Sequence, residues 1–364
     1  MSQIAVGILG RTRVVPTAFE RRCHRAAQET QSTARTWHSS AGHQLSHLRG
    51  RMIASGVENR VAGAEAGGHS DIYGVEKCVE LYDAAIAPVV PAVAALLDSF
   101  QTAFLDLPID EATEESGVRH KRQFIDVGCG PGSFTLKHLL PRLPPWCEKL
   151  VAVDNSESML KFARENRSDP KIEYQGLDVL ADEAVARFVR AEGRFQRVYS
   201  FLVLHWIADH RHALRNIEAL TAPAGECFLV FSNNLAVFDV FTAMMRSARW
   251  SKYSDVLLRV LPETRDMEDV ISLRSHLVSV VRATSLLPLA CEVFRLTGDM
   301  GLSKERALDF FCLVNPVYPS LDDGERAELR SFTDDVMRDF TRRRSGRAIG
   351  EHQLLVIHAC KPRE

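Results

Sequence analysis

Residues 124–134 read FIDVGCGPGSF, an apolar run (Phe124, Ile125, Val127) interrupted by Asp126 and followed by glycine at every second position, Gly128, Gly130 and Gly132. Apolar residues resume at helical spacing with Phe134, Leu136, Leu139 and Leu140, so the stretch predicts strand, tight turn, helix, the opening of a nucleotide-binding βα unit. The glycines let the main chain take positive φ and let a ligand lie against bare backbone. A dinucleotide fingerprint needs a glycine at its sixth position, where this chain has Ser133, and Pro131 removes an N–H that a pyrophosphate would use. The turn therefore suits a ligand that demands less of a phosphate cradle, although a purely structural turn has the same spelling.

A second apolar run, LVAVDNSESML at 150–160, ends in Asp154, 22 residues after Gly132, with Ser156 as a helix cap. An acid at that strand tip is where a ribose diol is held, and equally where a helix start favours a carboxylate. KIEYQGLDVL ends in Asp178, which either faces an adenine amino group or forms a turn. FQRVYSFLVLHWIAD supplies a fourth strand, and AGECFLVFSNN a fifth after a turn at Ala224–Gly225. Five strands alternating with helices predict a parallel, doubly wound α/β sheet that binds its ligand at the carboxyl ends of the strands.

DVGCGPGSFT, AVDNSESML, GLD and SFLVLHWIAD, in this order and spacing, resemble the motifs of class I S-adenosylmethionine-dependent methyltransferases over residues 120–232. YSFLVLHWIADHRHALRNI is similar to their small-acid branch, which includes juvenile hormone acid and trans-aconitate methyltransferases. SDIYGVEKCVELYDA at 70–84 resembles the leading helix of the insect enzymes, and the stretch from LVNPVYPSLDD to EHQLLVIHACK resembles their end. The resemblance implies a Rossmann-like sheet of seven strands, with ACEVFRLTGDM and QLLVIHA as antiparallel closing strands and a helical cover inserted after strand five. It also implies S-adenosyl-L-methionine as cofactor, with Asp126, Gly128, Gly130 and Gly132 around its methionine part, beside Tyr73 on the leading stretch. Asp154 and Asn155 would hold the ribose, Asp178 and Val179 the adenine, and Ser200 and Phe201 would lie by the methionyl portion. His205, Trp206 and Glu80 would border the acceptor. Glu80 stands where the insect enzymes carry Gln, and an ionised Glu80 would repel an acceptor carboxylate.

Methyl transfer from a sulfonium is an in-line displacement, accelerated mainly by alignment. A carboxylate acceptor is already ionised near neutral pH and needs no base, so His205 would position it. A phenol, quinone precursor or amine would instead make His205 the first candidate base. The small-molecule acid is expected to be apolar, of the farnesoic or juvenile hormone type. A nicotinamide oxidoreductase is opposed by Ser133 and by the lack of a Tyr-x-x-x-Lys pair near strand four, and a binding protein without catalysis by the retained glycines and ribose acid. NPVY at 315–318 is similar to the Asn-Pro-Pro-Tyr motif of N-methyltransferases but falls after strand five instead of strand four, which predicts only a helix end and a turn.

The stretch 233–290 carries Phe, Met, Val and Leu at helical spacing, expected to pack on the sheet and on itself, with Phe238, Phe241, Met244 and Trp250 as candidate pocket residues. The chain divides into a leader (1–69) and a catalytic domain (70–364), the latter comprising a leading helical stretch (70–100), a cofactor core (120–232), the cover (233–290) and closing strands with C-terminal helices (291–364). The leader has nine arginines, no lysine, four glutamates and no aspartate. That composition fits a mitochondrial transit peptide or a disordered extension. It lacks the aromatic interleaving of a nucleic-acid binder and any apolar run that spans a membrane. Net charge of −2 gives no polyanionic partner. Eight cysteines, none at metal-ligand spacing, indicate a reducing compartment, cytoplasmic or mitochondrial, and no metal site.

Overall fold

The computed structural model describes residues 76–105, 122–233, 235–297, 303–343 and 351–363. Tyr73 and the leader, with its boundary at 69/70, lie outside the described residues, as does the side chain of Glu80. In chain order the elements are α1 (Glu76–Ile86), α2 (Val90–Phe100), β1 (Gln123–Val127), β2 (Lys149–Asp154), α3 (Glu157–Asn166), β3 (Ile172–Gly176) and α4 (Asp182–Glu192). They continue with β4 (Phe195–Phe201), α5 (His210–Leu220), β5 (Thr221–Ser232), α6 (Ala236–Arg246), α7 (Ser254–Leu258) and α8 (Val270–Arg282). β6 (Leu287–Thr297), α9 (Lys304–Leu313), α10 (Asp323–Arg343) and β7 (Glu351–Cys360) complete the chain.

The seven strands form one sheet in the order β3-β2-β1-β4-β5-β7-β6. The first five are parallel, and the last two pair antiparallel, as the resemblance implied, with β7 inserted between β5 and β6. Central strands are buried on both faces, which is why β1 and β2 read as nearly continuous apolar runs, while β3 at the edge alternates with exposed positions. Side chains of period two separate two cores. Ile125, Val127, Val151 and Val198 meet α4, α5 and α8 on one face; Phe124, Leu150, Tyr199 and Phe228 meet α2 and the 134–147 segment on the other. Strand order reverses between β1 and β4, so their carboxyl ends diverge into a crevice.

Three local departures from the sequence reading have physical causes. The helix after the glycine turn is not regular: the Leu140 N–H reaches back five residues to Thr135 in a π turn (Thr135–Leu139), and Pro141 ends it. The Ala224–Gly225 turn is a kink inside β5, with Ala224 at φ 61°. β6 starts at Leu287, inside the stretch assigned to helices, and tolerates Pro288 because it is an edge strand. As expected of that stretch, α8 packs through Leu273, Leu277, Val280 and Val281 on the sheet itself. A third apolar cluster unites α6 with residues from between β6 and β7: Phe238, Phe241, Met244 and Trp250 pack against Leu313, Val317 and Leu329. Within it Asn315 of NPVY is fully buried and occupied, its amide donating to Met244 Sδ at 3.1 Å and its carbonyl accepting from Val317 N–H at 3.0 Å.

Candidate active site

The turn after β1 is locked to the tip of β2. Gly128 and Cys129 donate to the Val153 carbonyl at 2.7 and 2.9 Å, and Gly130 N–H donates to Asp154 Oδ2 at 2.8 Å. Asp154 Oδ1 accepts from Ser156 N–H at 2.9 Å, and the Ser156 hydroxyl accepts from Met159 N–H at the start of α3. One carboxylate thus braces both the glycine turn and the helix start. Gly128 and Gly132 have positive φ, and a Cβ on either would collide with protein: Val203 at 2.2 Å from the first, the Tyr174 hydroxyl at 2.5 Å from the second. The bare turn therefore serves close packing first, and Val203 carries the wall of the cavity beyond it.

Two cavities flank this turn. The larger, with about 850 Å³ of open volume, lies at the carboxyl ends of the strands. Gly128, Gly130, Asp154, Asn155, Asp178 and Val179 all line it, so the candidate turn, ribose and adenine residues converge on one space. Asp178 is held in a turn by Leu180 N–H at 2.9 Å, and Asn216 of α5 donates to the Val179 carbonyl at 2.8 Å. Trp206 also lines this cavity and meets Phe238 edge-on at 5.7 Å, joining the site to the third apolar cluster. The smaller cavity, about 340 Å³, lies on the other side of Gly128 and is bounded by Asp126, Phe134, Phe201 and Asp83. Tyr82, Gly128 and Leu202 border both. Leu202 adopts φ 60°, a strained conformation for a residue with a Cβ, at the divergence of β1 and β4.

Asp126 is buried and accepts from the Thr135 hydroxyl at 2.7 Å. Burial pushes its carboxyl up to about 7 against the pull of that hydrogen bond, and the charge of Asp154 adds to the rise. His205 is buried, and its Nδ1 accepts from Ser232 N–H at 3.4 Å. Burial drives its imidazole down to about 3, so the ring is neutral with its proton on Nε2. Neither cavity is lined by His205 or by Ser200, whose hydroxyl donates to the Val127 carbonyl at 2.8 Å and ties β4 to β1. The pairing of burial with a sheet-bridging bond is a tertiary outcome that no local pattern encodes.

Several lining residues were not singled out from sequence: Tyr82, Leu202, Val203, Ile207, Arg259 and Val260. Tyr82 had a signal, since it lies on α1 within the stretch read as a leading helix. Arg259 and Val260 had none, because they come from a helix end about a hundred residues downstream of Asp154. α1 is fastened to the turn by a clasp: Ser133 Oγ donates to Asp83 Oδ2 at 2.6 Å, and Arg167 reaches both Ser133 Oγ (3.2 Å) and Asp83 Oδ2 (3.4 Å). Ser133 at the sixth position of the turn thus holds a helix over it.

Residues 125–229 match the methyltransferase domain family model. The chain is similar to juvenile hormone acid O-methyltransferase of Bombyx mori, 32% identical over 40% of this chain and 50% of that one. It is similar also to the enzyme of that name in Drosophila melanogaster, 30% identical over 35% of this chain and 43% of that one. A trans-aconitate 2-methyltransferase of Variovorax paradoxus is 25% identical over 60% of this chain and 87% of its own length. The chain spans about half the length of the two insect relatives.

Proposed function

We infer, for a chain that belongs through residues 125–229 with the class I S-adenosylmethionine-dependent methyltransferases, that it transfers a methyl group to the carboxylate of a small apolar acid. The observation that carries the cofactor part of this reading is the convergence of Gly128, Gly130, Asp154, Asp178 and Val179 on the larger cavity at the sheet's switch point. The residues fit S-adenosyl-L-methionine: a bare turn for close approach, a strand-tip carboxylate on the cavity wall for the ribose, and a held loop for the adenine. When bound, that cofactor supplies an electrophilic methyl on a sulfonium sulfur.

The chain's own part is to bind, align and exclude water. Asp154 receives ribose hydroxyls while keeping the glycine turn in shape, and Asp178 with Val179 borders the adenine. Asp126, in the smaller cavity with Phe201, faces the methionyl end. Trp206 and Tyr82 wall the acceptor space, with Glu80 on the same helix as Tyr82. His205, buried, neutral and outside the lining of both cavities, is not placed to take a proton from an acceptor there. That suits a carboxylate acceptor, already ionised, better than a phenol or amine. The names of the relatives support an acid acceptor in the same direction.

The test is calorimetric titration with S-adenosyl-L-methionine followed by labelled-methyl transfer to fatty, terpenoid and aromatic acids. Saturable cofactor binding and labelled ester from an apolar acid are expected, and Glu80→Gln then asks whether that side chain touches the acceptor. Binding without any ester would remove the acid reading. No binding would remove the enzyme reading.

A further inference from the structure

Across the two cavities the charged lining residues are Asp83, which Arg167 pairs, and Asp126, Asp154 and Asp178, against a single lining base, Arg259. That imbalance suits a cationic cofactor and opposes an anionic acceptor, so an acid substrate needs a positive partner at the site. Arg259 follows α7, whose Leu257 is fully buried in the third apolar cluster, and Leu261 two residues later is buried in the same cluster. The backbone is therefore pinned on both sides while the side chain stays exposed at the cavity wall. Several arginines of neighbouring segments of the chain are held in ion pairs: Arg249 with Glu325 and Glu328, Arg265 with Asp266, Arg274 with Glu292 and Arg211 with Glu263. Among the described residues Arg259 has no hydrogen bond or ion pair.

We propose that Arg259 is the acceptor-recognising residue, its guanidinium taking the carboxylate of the incoming acid at the mouth of the larger cavity. The assignment rests on the acid-acceptor reading above. A planar guanidinium meets a carboxylate through two parallel N–H donors, fixing orientation as well as charge. The cofactor is the competing ligand, since Arg259 shares the larger cavity with Asp154, Asp178 and Val179 as well as with Trp206. The methionyl end is read beside Asp126 in the smaller cavity, which Arg259 does not line, and cofactor affinity in the variants decides between the two. An exposed cation on a pinned segment pairs with the acid as it enters and releases the uncharged ester, which no longer offers it a charge.

The experiment uses the full chain and its Arg259→Gln and Arg259→Lys variants. It measures the Kd of S-adenosyl-L-methionine by calorimetry, and kcat and KM for methylation of farnesoic acid. It also measures binding of farnesoic acid and of farnesol, its uncharged alcohol, to enzyme saturated with S-adenosylhomocysteine. Arg259→Gln is expected to leave the cofactor Kd within twofold, to raise the KM for the acid at least tenfold, and to leave farnesol binding unchanged, with Arg259→Lys recovering part of the loss. A parallel loss of cofactor affinity would overturn the assignment by giving Arg259 to the cofactor, and an unchanged KM would overturn it outright. If the unmodified chain binds cofactor yet neither binds nor methylates the acid, the assignment falls together with the acid reading. If it methylates the acid and Arg259→Gln does so with the same KM, the assignment falls alone.

Discussion

At the scale of single residues, two carboxylates do different work because their surroundings differ. Asp154 is held by the amide N–H groups of Gly130 and Ser156, so its charge is stabilised by donors that remain in place when a ligand arrives. Replacing it with Asn keeps the shape but puts a donor where two amides need acceptors. Asp154→Asn should weaken S-adenosyl-L-methionine about ten- to a hundredfold, the loss expected from one or two charge-assisted hydrogen bonds of about 1.5–3 kcal/mol, and titration calorimetry measures it. Asp126 is buried with its carboxyl pushed up to about 7. A cationic ligand group beside it favours the ionised form, so binding releases a proton below that value. Cofactor affinity should therefore rise by up to about tenfold per pH unit between about pH 5 and 7 and then level off, a dependence that Asp126→Asn should abolish. The folding contribution has the related sign. With the folded value raised above the ordinary carboxylate range, this group binds its proton more tightly folded than unfolded. Stability from it is full below about pH 4 and is lost as pH rises through about 7; urea melts of the ligand-free protein across that window should follow it.

At the scale of elements, α1 is the piece whose role local patterning under-determined. Its Tyr82 borders both cavities, its Leu81 packs on the third apolar cluster, and its Asp83 is clasped by Ser133 and Arg167. The glycine a dinucleotide turn would carry at position 133 could not make that clasp. Ser133→Gly should speed hydrogen exchange of the amides of residues 81–86 and lower stability by up to about 1 kcal/mol, the scale of one partly exposed hydrogen-bonded pair. Exchange confined to α1, with the β1–β2 amides still protected, is the expected pattern; unchanged exchange in α1 would mean the clasp holds nothing. The helices after β5 teach a related lesson. Their apolar residues were legible as buried, but whether they bury on the sheet or on α9 and α10 depends on which faces meet in space, and α8 and α6 took different answers.

At the scale of the whole molecule, the end of the sheet opposite the cavities is closed by a buried charged knot. Glu226 is fully buried, accepts the Leu105 N–H at 3.1 Å, and lies 3.4 Å from His358 Nε2 and 3.9 Å from Arg197 Nε. Arg197 in turn donates to the Leu105 carbonyl at 3.0 Å and sits over the Phe104 ring. This ties the end of the α2 segment to β4, β5 and β7. Glu226→Ala leaves a buried guanidinium unpaired and should cost about 3–5 kcal/mol, read as a fall in thermal midpoint, with the cofactor site retained below the transition. Nothing in the sequence marked these residues, since Glu226, Arg197 and His358 are far apart in the chain and each lies in a strand that reads as ordinary.

The sequence by itself determined the order of the strands and helices, the glycine turn, the acids at the strand tips and hence the kind of ligand the crevice takes. These depend on short-range rules: periodicity, turn chemistry, and the spacing of a βα unit. Tertiary structure alone decided that Ser200 braces β1, that His205 turns to Ser232, that Ser133 clasps α1 and that Arg259 reaches the cavity wall. The first three depend on a partner at least twenty-seven positions away and the last on the packing of the segment that carries it, and chemistry at that range leaves no trace in local pattern.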